Sequence, residues 1–118
     1  PLVKAYRMQE KAACVGFDWP HIDGVIQKIE EELREFYDEV NQKNQKQAEE
    51  EFGDLLFSLV NYARFMGINP DDALSNANQK FRKRFVIMES KILDRQIEMS
   101  QLDLDSWEKL WQEVKSEN

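Results

Sequence analysis

Two apolar stripes at helical spacing, separated by the polar linker Asn41-Gln42-Lys43-Asn44-Gln45, constrain this chain more than any other feature. At about 100° per residue, Val25, Ile29, Leu33, Phe36 and Val40 share one face of a helix, and Ala48, Phe52, Leu55, Leu59 and Met66 share one face of the next. A linker this short joins antiparallel neighbours, so the pattern predicts a helical hairpin. Acids border both stripes. Glu32 and Glu35 flank the first, with Lys28 and Glu39 beside them, whereas Glu51 and Asp54 flank the second in a row with Ser58 and Asn61. Glu30, Glu31, Glu49 and Glu50 point elsewhere on the same wheels.

Both acid pairs have i, i+3 spacing, which places their carboxylates on one helix face. Across the hairpin Glu35 comes to lie opposite Glu51, and Glu32 opposite Asp54. Carboxylates about 4 Å apart repel by roughly 1 to 4 kcal/mol per pair, depending on the local dielectric, so four of them call for a cation. Oxygen-only ligands suit Mg²⁺, with Mn²⁺ as the other fitting ion. The competing explanation is abundance: with 23 acids in 118 residues, such pairs also arise on solvated helix faces. The symmetry about the linker and the shared border position favour a site.

The remainder of the chain reads as one all-α domain, residues 1–118. Residues 2–13 form a first helix, and Gly16-Phe17-Asp18-Trp19-Pro20 a loop. The two hairpin helices run from about Ile22 to Asn41 and from about Lys46 to Gly67. Asn69-Pro70 opens another as cap and first helical residue, extending to about Met99, and Asp105-Ser106-Trp107-Glu108 has capping-box spacing for a last helix toward Val114. A chain that is 42% hydrophobic can build a core, and a bundle of this size buries more by dimerising. Phe57, Val60 and Phe65, which lie off the main stripe, fit a homodimer or a third helix. The net charge of −7 disfavours a nucleic-acid polymer as partner. Cys14, the one cysteine, reads as a small buried or half-buried residue in a reducing compartment. No apolar run of membrane-spanning length or signal-peptide pattern occurs, and we read the chain as cytoplasmic. Its start at Pro1 fits a domain cut from a longer protein.

Cations held by carboxylates, with positions left open, serve reactions at phosphorus. A ferritin-like di-iron site needs Glu-x-x-His pairs, and the one histidine, His21, precedes the hairpin. Hydrolase triads and zinc sites fail for the same lack of ligands. Lys80 and Arg84 share a helix face one turn apart and suit phosphate oxygens, whereas Arg82 and Lys83 read as solvated. Trp107 and Trp111, taken alone, read as packing.

Glu31-Glu32-Leu33-Arg34-Glu35 followed by Glu51-Phe52-Gly53-Asp54 resembles the Glu-Glu-x-x-Glu and Glu-x-x-Asp signature of MazG-type nucleoside triphosphate pyrophosphohydrolases, specifically the C-terminal, catalytic type of domain. The likeness continues through Val15-Gly16-Phe17-Asp18-Trp19, Gly53-Asp54-Leu55-Leu56-Phe57, Val60-Asn61-Tyr62-Ala63-Arg64, Asn78-Gln79-Lys80-Phe81 with Arg84-Phe85, and Trp111-Gln112-Glu113-Val114-Lys115. The resemblance implies Mg²⁺-dependent cleavage between the α and β phosphates of a nucleoside triphosphate, in a four-helix core completed by dimerisation. It implies Glu32, Glu35, Glu51 and Asp54 as metal ligands, with Lys28, Lys80 and Arg84 on the triphosphate and Trp111 and Lys115 over the nucleotide. Trp107 stays with packing. Glu31 belongs to the signature yet points away on the wheel; it or Glu35 is the candidate to take the proton of the attacking water. Gln47 stands where some relatives carry a lysine, so the phosphate there is held more weakly or Lys46 takes over that role. Two rival readings are an enzyme restricted to one pyrimidine deoxynucleotide, dCTP or dUTP, and a noncatalytic helical interaction module.

Overall fold

The computed structural model describes residues 1–117. Its helices are α1 (Leu2–Cys14), α2 (Ile22–Asn41), α3 (Gln45–Phe65), α4 (Pro70–Asp94) and α5 (Leu104–Glu117), with a 3₁₀ turn at Met99–Gln101. No strand occurs among the described residues, in agreement with the all-α expectation.

Side chains start three of these helices. Asn44 Oδ1 accepts from the Gln47 amide at 3.4 Å, and Asn69 Oδ1 accepts from the amides of Asp71 and Asp72 at 3.0 and 3.2 Å, with Pro70 in the first helical position. The last helix departs from expectation: its cap is Asp103, not Asp105, since Asp103 Oδ1 accepts from the Ser106 amide at 2.8 Å. Hydrogen bonding to Ser106 holds the Asp103 carboxyl below the usual carboxylate range.

Four helices end alike, on a left-handed residue whose amide and the next amide turn back onto the last carbonyls. At the end of α2, Lys43 N–H donates to the Val40 carbonyl at 3.0 Å and Asn44 N–H to that of Glu39 at 3.1 Å, with Lys43 at φ 58°. Gln96, at φ 55°, ends α4 through bonds of 3.1 Å from Gln96 to Leu93 and from Ile97 to Ile92. α4 therefore stops at Asp94 and does not run on to Met99; without glycine or proline there, the sequence carries no stop signal. Gly16 and Gly67 close α1 and α3 in the same geometry without the steric cost of a Cβ.

Contacts divide the chain into two compact units, Pro1–Ala73 and the residues from Leu74 on. In the first, α2 and α1 both pack on α3. Val25, Ala48, Leu55 and Val60 are buried there together with Gln9, Glu32 and Ser58. Burial is narrower than the apolar stripes. Leu33, Val40, Phe52, Leu59 and Met66 stay exposed, as does Phe57. Val60, expected among the exposed apolar residues, is buried, and Phe65 is half-buried with the Arg64 guanidinium 4.8 Å from its ring centre. Cys14, expected to be at least partly covered, is exposed, for it lies in the last turn of α1 where the chain leaves the helix. In the second unit Met88, Ile92, Leu110 and Val114 form the core, with Trp107 and Trp111 against it. Ion pairs of Lys91 with Glu117 (3.0 Å) and of Arg95, the residue after α4, with Glu113 (2.6 Å) tie the end of α4 to α5.

Lys43 and Gln96 occupy conformations that cost an L-residue about 1 to 2 kcal/mol, partly offset by the conformational entropy that glycine would lose. Lys43→Gly and Gln96→Gly should each stabilise the protein by about 0.5 to 1 kcal/mol, read as a higher urea midpoint at unchanged m. A lower midpoint would mean that these side chains contribute more than the backbone geometry withholds.

Candidate metal centre

The hairpin turn at Lys43 sets the register that the acids need. Carboxylate oxygens of Glu32 and Glu35 from α2 and of Glu51 from α3 all lie within 4.8 Å of one another. Glu32 is buried and its Oε1 accepts from Lys28 Nζ at 2.9 Å; Glu51 is half-buried and its Oε1 accepts from the Gln47 side-chain amide at 3.3 Å. The second oxygens, Glu32 Oε2 and Glu51 Oε2, are buried without a hydrogen-bond partner. Buried anionic oxygens left unpaired are costly, and a hard cation is the partner that fits them. The residues present therefore suit a divalent ion.

Electrostatics report the same crowding. Glu35 is pushed up to about 7, first by burial, then by the Glu32 charge and by a hydrogen bond and charge shared with Glu51. Lys28 moves upward because it donates to Glu32, with Glu31 and Glu35 adding to the attraction. One ammonium against three carboxylates leaves the cluster negative.

The other expected residues are distributed more widely. Asp54 is exposed one turn beyond Glu51, outside the three-acid group, with its backbone carbonyl accepting from Ser58 Oγ at 3.0 Å. Glu31 is exposed, as the wheel indicated, 3.8 Å from Lys28 Nζ. Lys80, Arg84, Trp111 and Lys115 belong to the second unit. Lys80 and Arg84 line a cavity of about 370 Å³ with Asn76, Gln79 and Lys83. The Arg84 guanidinium sits 5.3 Å from the Trp111 ring, and its Nε is buried without a partner. Trp111 packs against Phe81 at 5.7 Å between ring centres, while Trp107 stacks on Phe85 at 6.2 Å, as packing requires. Lys115 is exposed. Sequence reasoning missed the bond from Gln47 to Glu51, although its i, i+4 spacing is the signal for it.

An antiparallel helix pair with carboxylates gathered on facing sides is the frame of a carboxylate-held cation site. The sequence model of the MazG nucleotide pyrophosphohydrolase domain matches residues 22–85, more than half of the chain and both acid pairs, and the chain belongs to that family. It is 43% identical over 114 residues to the nucleoside triphosphate pyrophosphohydrolase/pyrophosphatase MazG of Thermotoga maritima. It is 42% identical over 116 residues to the nucleoside triphosphate pyrophosphohydrolase of Escherichia coli K12. Each alignment covers 97% of this chain and 44% of the relative, so the chain spans less than half the length of these curated relatives. A shorter likeness, 46% over 65 residues, links 55% of the chain to 13% of the uncharacterized protein YabN of Bacillus subtilis.

The raised Glu35 value has a thermodynamic consequence for the metal-free protein. With the folded value near 7 and the ordinary one at 4.5, the folded state binds more protons across that interval, so stability falls as pH rises through it. Asp18 and Glu113, both shifted downward by arginine partners, titrate below that interval and do not mask the effect. In EDTA the protein should melt at higher temperature at about pH 5.5 than at about pH 8, and Glu35→Gln should flatten that slope. An unchanged slope in the variant would assign the dependence to other groups.

Proposed function

We propose that residues 1–118 form the catalytic domain of a nucleoside triphosphate pyrophosphohydrolase, yielding the nucleoside monophosphate and pyrophosphate in nucleotide-pool housecleaning. The observation that carries this reading is the cluster of Glu32, Glu35 and Glu51 with two buried, unpaired oxygens, lying within the family-matched segment. The names of the two full-coverage relatives support the substrate class.

Glu32, Glu35 and Glu51 would hold Mg²⁺, with Asp54 as the fourth ligand from the same face of α3. The ion would supply positive charge for the triphosphate and lower the pKa of water beside the α phosphorus. Lys28 neutralises Glu32 and stands ready for a phosphate oxygen. Glu35, if not fully consumed by coordination, is suited to take the proton of the attacking water, with Glu31 as the outer alternative. Lys80 and Arg84 would meet the charge that develops on pyrophosphate, and Trp111 and Lys115 would cover the nucleotide.

We also infer a cytoplasmic homodimer. No described helix is long and apolar enough to cross a membrane. Leu33, Tyr37 and Val40 on α2, with Phe52, Leu56 and Leu59 on α3, are exposed along the hairpin, and a second copy is the partner that suits them.

Product analysis with each common NTP and dNTP, in Mg²⁺ and in EDTA, tests the chemistry. Alanine at Glu32, Glu35, Glu51 or Asp54 should lower turnover at least about 100-fold. The folded domain should persist, and Mg²⁺ should raise Tm in the parent but not in these variants. Full Mg²⁺-dependent activity in all four would overturn the ligand assignment.

A further inference from the structure

Glu32 and Glu51 each have a donor one turn earlier on their own helix. Lys28 Nζ donates to Glu32 Oε1 at 2.9 Å on α2, and Gln47 Nε2 donates to Glu51 Oε1 at 3.3 Å on α3. Both pairs have i, i+4 spacing, which brings the two side chains together on one helix face. In both, the oxygen that the donor does not reach, Oε2, is buried without a hydrogen-bond partner. The donors differ in one respect: Lys28 carries a charge and Gln47 does not.

The same helix carries a second pair of the same chemistry on its solvated face. Gln45 Nε2 donates to Glu49 Oε1 at 3.4 Å, again at i, i+4, but Gln45 and Glu49 are both exposed. Water reaches that carboxylate, so nothing depends on the amide. Gln47 is instead half-buried, between the cap of α3 and the acids, and its backbone N–H donates to Asn44 Oδ1 at 3.4 Å. A carboxylate only accepts, so the Gln47 amide turns its nitrogen to Glu51 and the pair is fixed in one sense. Lys46, the residue before it, is exposed.

A free glutamate side chain samples several rotamers, and ordering it when an ion arrives costs affinity that a carboxylate already held in place does not lose. Gln47 holds Glu51 without adding positive charge to a site where the Lys28 ammonium already neutralises one acid. We propose that Gln47 is a positioning residue of the metal centre, which holds Glu51 by one oxygen and leaves the other free for the divalent cation. It acts through Glu51 and touches neither substrate nor ion. This rests on the cation reading of Glu32, Glu35 and Glu51 given above.

Binding of Mn²⁺ alone, followed by loss of the free ion's electron paramagnetic resonance signal, tests this without substrate or turnover. Gln47→Met keeps the length and helix propensity of the side chain and removes the donor. The dissociation constant of its tightest Mn²⁺ site should rise about tenfold, the lower end of what losing a ligand's hydrogen-bond partner costs a metal site. Gln45→Met, the same change on the solvated face, should leave that constant as in the parent. In a Glu51→Ala background Gln47→Met should add nothing, because the residue acts through Glu51. In turnover assays the Mg²⁺ concentration for half-maximal rate should rise by a similar factor, while kcat at saturating Mg²⁺ and KM for the triphosphate change by less than about twofold. If Gln47→Met binds Mn²⁺ as the parent does, the positioning role is overturned and the cation reading stands; a raised KM for triphosphate with that result makes Gln47 a substrate contact instead. Equal weakening by Gln45→Met, or further weakening in the Glu51→Ala background, also overturns it. A parent that binds no Mn²⁺ removes the cation reading and this role together.

Discussion

Lys43 in its left-handed conformation sets the hairpin register on which the acid cluster depends. The pair of reversed bonds from Lys43 and Asn44 ends α2 and hands the chain to α3 with Asn44 already capping it. A helix places side chains by angle, so one more residue in this turn would rotate α3 by about 100° and carry Glu51 away from Glu35. Gathering three carboxylates is then imposed by backbone geometry against their own repulsion. The seam of Val25, Ala48, Leu55 and Val60, with the Phe36–Phe52 contact of 5.3 Å beside it, supplies the packing that holds them there.

The cluster is incompletely compensated, and unevenly so. Lys28 and Gln47 each satisfy one oxygen, whereas the second oxygens of Glu32 and Glu51 are buried with nothing to accept from. Glu35 relieves part of the crowding by holding a proton to about pH 7. Such a site trades stability for readiness, since the interactions it lacks are those a cation brings. Glutamine rather than lysine at position 47 fits that balance: a neutral amide orients Glu51 without cancelling its charge.

Local rules that the chain obeys made much of this legible. Hydrophobic period located both hairpin helices, Asn69 with Pro70 marked the start of α4, and of the four acids the wheel chose, Glu32, Glu35 and Glu51 lie together while Asp54 stands outside the group. What escaped reading was set by backbone conformations without a residue signature. Gln96 adopts a glycine-like φ with no glycine to announce it, so the end of α4 was misplaced; Asp103 and Asp105 are chemically equal caps, and only the geometry separates them. Burial was harder still, because a stripe defines a direction and not a depth. Val60 proved buried while Leu33 and Phe52, at the nominal centre of their stripes, remained open to solvent.

Cys14 stands alone as the thiol of this chain, exposed in the final turn of α1. Ala12 and Phe17, close to it in sequence on either side, line a cavity of about 480 Å³ between α1, the loop after it and α3. A maleimide dye or a spin label would therefore attach at one defined point, without prior removal of competing cysteines. From there it would sense the loop that carries Phe17 and Trp19, giving the molecule a ready-made reporter position for motion of that loop against α1.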